Sequence, residues 1–295
     1  MMRTLRCLVV CGWMVSLVPV SAAAQPAAGD TARGGWRGEM STLGINALLG
    51  GGIGGTVRAL RGGSFYEGFV AGAAGGTLVY AGKRLAVERW YGAGLAGRQV
   101  AAVGTSMIRN TADGRAPLER LTVPVWIGRL YVTTSPRLSV QPRLDLAGAL
   151  STAYQAFDDR SEFDLGRTIS AGAPVFRVYD AELEWVAFQR VGVVLLRYAE
   201  SDQGLEEQLP DDVGAPMAQS AAHERVHVVQ LDQAFLLLAA PVEDWLLGRN
   251  PTTARLHRWI DVGAVTAVLA LPELLIPYDR RPWEREADFL ARLPR

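Results

Sequence analysis

From residue 41 to residue 90 the chain reads STLGINALLGGGIGGTVRALRGGSFYEGFVAGAAGGTLVYAGKRLAVERW, and glycine limits what can be built from it. Two apolar stretches, residues 43–57 and 68–82, carry glycines at small-residue spacing: Gly50 and Gly54 in one, Gly68, Gly72 and Gly76 in the other. Each helical glycine costs about 1 kcal/mol relative to alanine, so such helices must be held by packing. The same residues permit it, because backbones approach closely where no side chain intervenes. Both stretches fall short of the roughly 20 apolar residues that span a bilayer. The expectation is a tight helical hairpin buried in the protein, with membrane association through residues 41–84 as the alternative. Ser41 is a suitable helix cap, and a third helix is expected over residues 85–109. No Gly-Lys-Ser/Thr follows the glycines, which excludes a phosphate loop.

The opening MMRTLRCLVVCGWMVSLVPVSAAAQ has a charged start at Arg3 and Arg6, an apolar middle and a small-residue end at Ala22 to Ala24. That layout predicts a cleaved secretory signal over residues 1–24, and hence export to the periplasm or envelope of a Gram-negative-like cell. Val10 precedes Cys11, where a lipoprotein signal needs a small residue. Cleavage would remove both cysteines, so any metal site must use His, Asp or Glu. With 30 basic and 30 acidic residues the chain shows no electrostatic footprint for nucleic acid. Residues 25–40 read as a flexible lead-in.

After NTADGRAP the period changes from helical to two. In RLSVQPRLDL, Leu138, Val140, Pro142, Leu144 and Leu146 alternate with polar residues, which predicts a strand with one buried and one wet face. VPVWIGRLYVTT, LSTAYQAF, GAPVFRVY and VGVVLLRY read as further strands. Helical patterns return over residues 217–247, with a break near Pro241, then in TTARLHRWIDVGAVTAVLALPELLIPY and in RPWEREADFLARL. The whole predicts an α+β fold: a glycine-rich helical region (41–112), a mainly antiparallel sheet region (113–200) and a helical region (201–295). Residues 113–295 are expected to act as one catalytic unit packed on 41–112. A small outer-membrane barrel is a third architecture, disfavoured by few strands and helical ends.

Chemistry concentrates in AAHERVHVVQLDQ, which holds two of the chain's three histidines. On a helix, His223 and His227 lie one turn apart on nearly the same side, so both imidazoles can bind one metal. Glu224 sits one step round, able to reach a water on that metal but not to share its coordination. This is His-Glu-x-x-His, in which zinc lowers the pKa of a water to about 7 and the glutamate takes its proton. Val226, Val228, Val229 and Leu231 place the motif on a buried helix, where unpartnered ionisable groups would be costly. A third histidine ten positions after the first would mark a metzincin, but that position holds Gln233.

The last helix offers Glu284-Arg285-Glu286-Ala287-Asp288, and with the histidine helix it resembles the gluzincin metallopeptidases whose second helix reads Glu-x-x-Ala-Asp. The resemblance covers the last third of the chain. It implies Glu284 as third ligand of one Zn²⁺ per chain, and Asp288 as the group that orients a ligand histidine. Glu286 is expected to be a surface charge. It also implies a peptide or protein substrate, held along a sheet edge for which RVGVVLLRYAE is the expected strand. His257 and Tyr278 are the available oxyanion donors. The leading function is therefore an exported zinc endopeptidase; its rival is an envelope structural protein with a structural or vestigial metal site.

Overall fold

The computed structural model describes residues 35–179, 187–190, 193–197, 211–263 and 281–292. The signal segment and Tyr278 lie outside the described residues. The glycine-rich stretch forms two antiparallel helices, α1 (Gly35–Leu60) and α2 (Phe65–Ala86), with Ser64 capping the second. A Cβ on Gly54 would lie 2.5 Å from the Gly68 carbonyl oxygen, and one on Gly68 2.6 Å from that of Gly54. The third helix, α3 (Ala93–Ala112), repeats the device on the other side of α2: a Cβ on Gly75 would meet the Gly104 oxygen at 2.6 Å. Close backbone approach thus joins three helices rather than two.

Two boundaries differ from expectation. The first helix begins at Gly35, inside the expected lead-in. The third does not start at residue 85, because α2 runs on to Ala86 and the chain then turns through Gly92 at φ 86, a left-handed conformation open to glycine. No helix among the described residues is long and apolar enough to cross a membrane.

In chain order there follow β1 (Arg120–Val125), β2 (Gly128–Thr133), β3 (Ser139–Asp145), α4 (Leu146–Ala156), β4 (Ser161–Phe163), α5 (Leu165–Ala171), β5 (Val175–Val178), β6 (Ala187–Arg190) and β7 (Val193–Arg197). Helix α6 (Asp211–Ala234) passes through a π turn (Phe235–Ala239) into α7 (Ala240–Leu247), and α8 (Pro251–His257), β8 (Ile260–Asp261) and α9 (Pro282–Arg292) complete the described fold. The α+β class holds, with two small sheets instead of one: β1-β2-β3-β8 and β4-β5-β7-β6. LSTAYQAF is helical, not extended; the Asp145 side chain accepts from Gly148 N and starts α4 there. Pro241 ends no helix, since the π turn before it absorbs the missing donor.

The first sheet is inverted relative to its pattern. Leu121, Val123 and Val125 stand opposite Val132, Leu130 and Gly128, which in turn stand opposite Val140, Pro142 and Leu144. None of these apolar residues is buried. The polar face looks inward: Thr122, Arg129 and Asp261 are buried, and the Arg129 guanidinium lies 3.7 Å over the Phe235 ring. The carboxylates of Asp145, Asp232 and Asp261 around Arg129 balance its charge on that inward face.

Candidate metal centre

Helix α6 fixes the two histidines by its pitch. Their rings lie 4.5 Å apart at 78°, with Nε2 of His227 2.8 Å from Nε2 of His223. Glu284 comes from the first turn of α9, where a carboxylate also suits the positive end of the helix dipole. Its Oε2 lies 3.2 Å from His223 Nε2 and 3.0 Å from His227 Nε2. The approach of α9 to α6 depends on small residues: Ala287, Ala222 and Val226 are fully buried in one cluster with Leu290. The alanine of Glu-x-x-Ala-Asp is thus the contact that lets Glu284 reach both imidazoles.

The remaining ring nitrogens fix the tautomers. Nδ1 of His223 lies 3.1 Å from Asp288 Oδ1, and Nδ1 of His227 lies 2.7 Å from Gln230 Oε1. The Gln230 amide orientation follows from its other end, which donates to the Trp283 carbonyl and to Glu286 Oε2. Both partners of Nδ1 are acceptors, so each Nδ1 carries the proton and each Nε2 presents a lone pair. Three lone pairs therefore converge on one point. One proton shared among them satisfies only part of that cluster; a cation satisfies all of it.

The donor set fits zinc. Ligands about 2.1 Å from a tetrahedral zinc sit about 3.4 Å apart, so small side-chain rotations from the observed 2.8–3.2 Å suffice. Without a cation, burial alone would lower the His227 pKa; the adjoining Glu284 and Glu224 carboxylates outweigh it, and the net shift is upward. Glu224 itself is buried on the same helix, and its charge is felt at His227. Arg281 lies 3.9 Å from the other oxygen of Glu284.

Of the expected site residues, the fold brings together His223, His227, Glu284 and Asp288, with Glu224 beside them. His257 stands elsewhere: its Nε2 is 2.8 Å from Asp244 Oδ1 and 3.3 Å from Arg143, and its Nδ1 faces the Ile260 carbonyl. These contacts commit both ring nitrogens, so the oxyanion role expected for it is withdrawn. His257 belongs to a second buried group with Glu243 and Asp261. There the charges are already matched, since Arg143 and Tyr131 donate to Asp261. The expected substrate edge also moves. Strand β7 is interior, between β5 and β6, and among the described residues the edge beside α6 is β6.

Glu286 is not a surface charge. It accepts from Lys83 Nζ at 2.8 Å, Asn46 Nδ2 at 2.8 Å and Gln230 Nε2 at 2.9 Å. Burial opposes its ionisation, but Lys83 and the two amide donors hold its carboxyl below the usual range. The glycine hairpin thereby reaches the candidate metal centre through Glu286, Gln230 and His227. Sequence reading missed Asn46, Lys83 and Gln230. The available signal was polarity out of place: Asn46 interrupts the small and apolar run of residues 43–55, and Lys83 follows directly on that of residues 78–82.

No family model, no curated protein and no solved structure matches the chain. The resemblance to gluzincins accordingly rests on the two motifs alone, and the chemistry open to the site rests on the geometry around them.

Proposed function

We propose that the protein is a zinc-dependent endopeptidase, its one zinc held by His223, His227 and Glu284 and its general base supplied by Glu224. The convergence of three lone pairs, with each imidazole oriented by a partner behind it, carries this reading. Zinc held there would supply a water acidic enough to act near neutral pH and a Lewis acid for the substrate carbonyl. Glu224 takes the proton of the attacking water as its oxygen bonds to the peptide carbon. The same carboxylic acid then gives that proton to the leaving amine as the carbon–nitrogen bond breaks. Asp288 and Gln230 hold the two imidazoles in the tautomer that binds metal. The edge of β6 beside α6 offers main-chain groups to pair with an extended substrate. With the signal expected at residues 1–24, the substrates are proteins or peptides of the periplasm or envelope.

Structural zinc is ordinarily closed by four side chains, whereas a catalytic zinc keeps one position for water. Among the described residues this group has three donors, which favours turnover over the purely structural role. The test is hydrolysis of a denatured protein pool, read as new amino termini by mass spectrometry. Zinc-loaded protein should cut, chelated protein should not, and restored zinc should restore cutting. Full zinc occupancy with no turnover would assign the site to a structural role.

A further inference from the structure

The inverted first sheet presents an apolar face that the described fold does not cover. Leu138 is 75% exposed, Val140 56% and Leu144 39%, and the face continues across Leu130 and Leu121. Such a patch marks an interaction surface. Its surroundings identify the occupant. Residues 120–144 contain four arginines and no acidic residue, and residues 249–260 three and none, in a chain that holds 30 basic and 30 acidic residues in all. Arg129 and Arg143 belong to the inward face. Arg120 opens β1 on the side of Thr122, not of the apolar face. The arginines left to flank that face are exposed: Arg137 lies in the turn from β2 to β3, and Arg255 and Arg258 precede β8. Arg258 is fixed beside β3, its carbonyl accepting from Gln141 at 2.6 Å.

Two indoles complete the rim. Trp126 in the turn after β1 is 46% exposed, and Trp259 beside β8 is 62% exposed. Indoles with one apolar and one wet side suit the headgroup level of a bilayer. A second copy of the chain fits poorly, because a two-fold contact would bring the same arginines against each other. We infer that this face seats the protein on the surface of an anionic phospholipid bilayer, apolar strands at the acyl boundary and arginines among the phosphates.

The experiment is co-sedimentation of the protein, purified after export, with phosphatidylcholine vesicles with and without phosphatidylglycerol. Binding should require phosphatidylglycerol, fall with salt and shift tryptophan emission to shorter wavelength. Val140→Asp or Leu144→Asp should weaken it at least about tenfold, since a charge enters the acyl boundary. Arg137→Ser combined with Arg258→Ser should weaken it about tenfold as well. These positions are exposed, so thermal melts should show folded variants; should an aspartate variant fail to fold, Trp259→Ser carries the same comparison. Absence of binding to the anionic vesicles at low salt overturns the inference, as does binding indifferent to all of these changes. A concentration-dependent dimer in solution that Val140→Asp dissociates would give the face to a second copy instead.

Discussion

Lys83 Nζ on the glycine hairpin donates to Glu286 Oε2 on the last helix at 2.8 Å, across 203 positions of sequence. The lysine side chain is 4% exposed and the glutamate 19%, so the pair is largely withdrawn from water. Breaking a buried pair from one side costs about 3–5 kcal/mol, because the surviving charge is stranded. Lys83→Met and Glu286→Gln should each lower the urea midpoint accordingly. Both should also weaken zinc binding, since Glu286 holds Gln230 and Gln230 holds His227. Unchanged melts and zinc titrations for both variants would detach the hairpin from the metal centre.

Asp288→Ala tests the orientation of His223. An outer partner of a ligand histidine contributes about ten- to a hundredfold in metal affinity. Competition with a zinc indicator should show a loss of that size, with the circular dichroism spectrum unchanged. Asp261→Asn, in the second buried group, should lower stability and leave zinc stoichiometry at one per chain.

The glycines make opposite predictions within one helix. A Cβ on Gly52 has open space, so Gly52→Ala should stabilise α1 by about 0.5–1 kcal/mol through helix propensity. At Gly54 the Gly68 oxygen stands 2.5 Å away, so Gly54→Ala should destabilise and Gly54→Leu more so, beyond about 3 kcal/mol. Urea unfolding of the three variants separates packing from propensity. Equal effects at Gly52 and Gly54 would remove the close approach from the account.

Much of this was legible because helices carry information locally. The spacing of His223 and His227, and of Glu284 and Asp288, puts each pair on one face whatever the rest of the chain does. Glu286 was misread because its partners, Lys83 and Asn46, are supplied from the far end of the sequence. The strand from Leu138 to Leu144 shows a different limit. Alternation specifies that a strand has two unlike faces, and only the packing around Arg129 and Asp261 decides that the polar one turns inward. The edge strand was misplaced for the same reason, since pairing order in β4-β5-β7-β6 is a tertiary fact.

Acid should act on α5 first through Asp164, which caps that helix. Burial opposes ionisation of Asp164, but the Arg167 backbone N–H and the Arg177 guanidinium prevail and hold its carboxyl below the usual range. A pKa lowered by folding stabilises the protein above the unfolded value, about 3.9, and that contribution is lost as pH falls from there through the folded value. The stability advantage of wild type over Asp164→Asn should therefore be constant above about pH 5 and shrink on further acidification. Urea midpoints across that range measure it; an advantage growing toward low pH would contradict the assignment.

The most direct test of the central claim compares zinc content and peptide hydrolysis in the wild type and in Glu224→Gln. Glu224 is assigned proton transfer and no metal ligation, and the amide keeps its shape while removing its basicity. The variant should hold about one zinc per chain, melt as the wild type does, and hydrolyse peptides at least about a hundredfold more slowly. Glu284→Gln should lose zinc affinity and activity together, because a neutral oxygen replaces an anionic ligand. Wild-type hydrolysis by Glu224→Gln at full zinc occupancy would contradict the account.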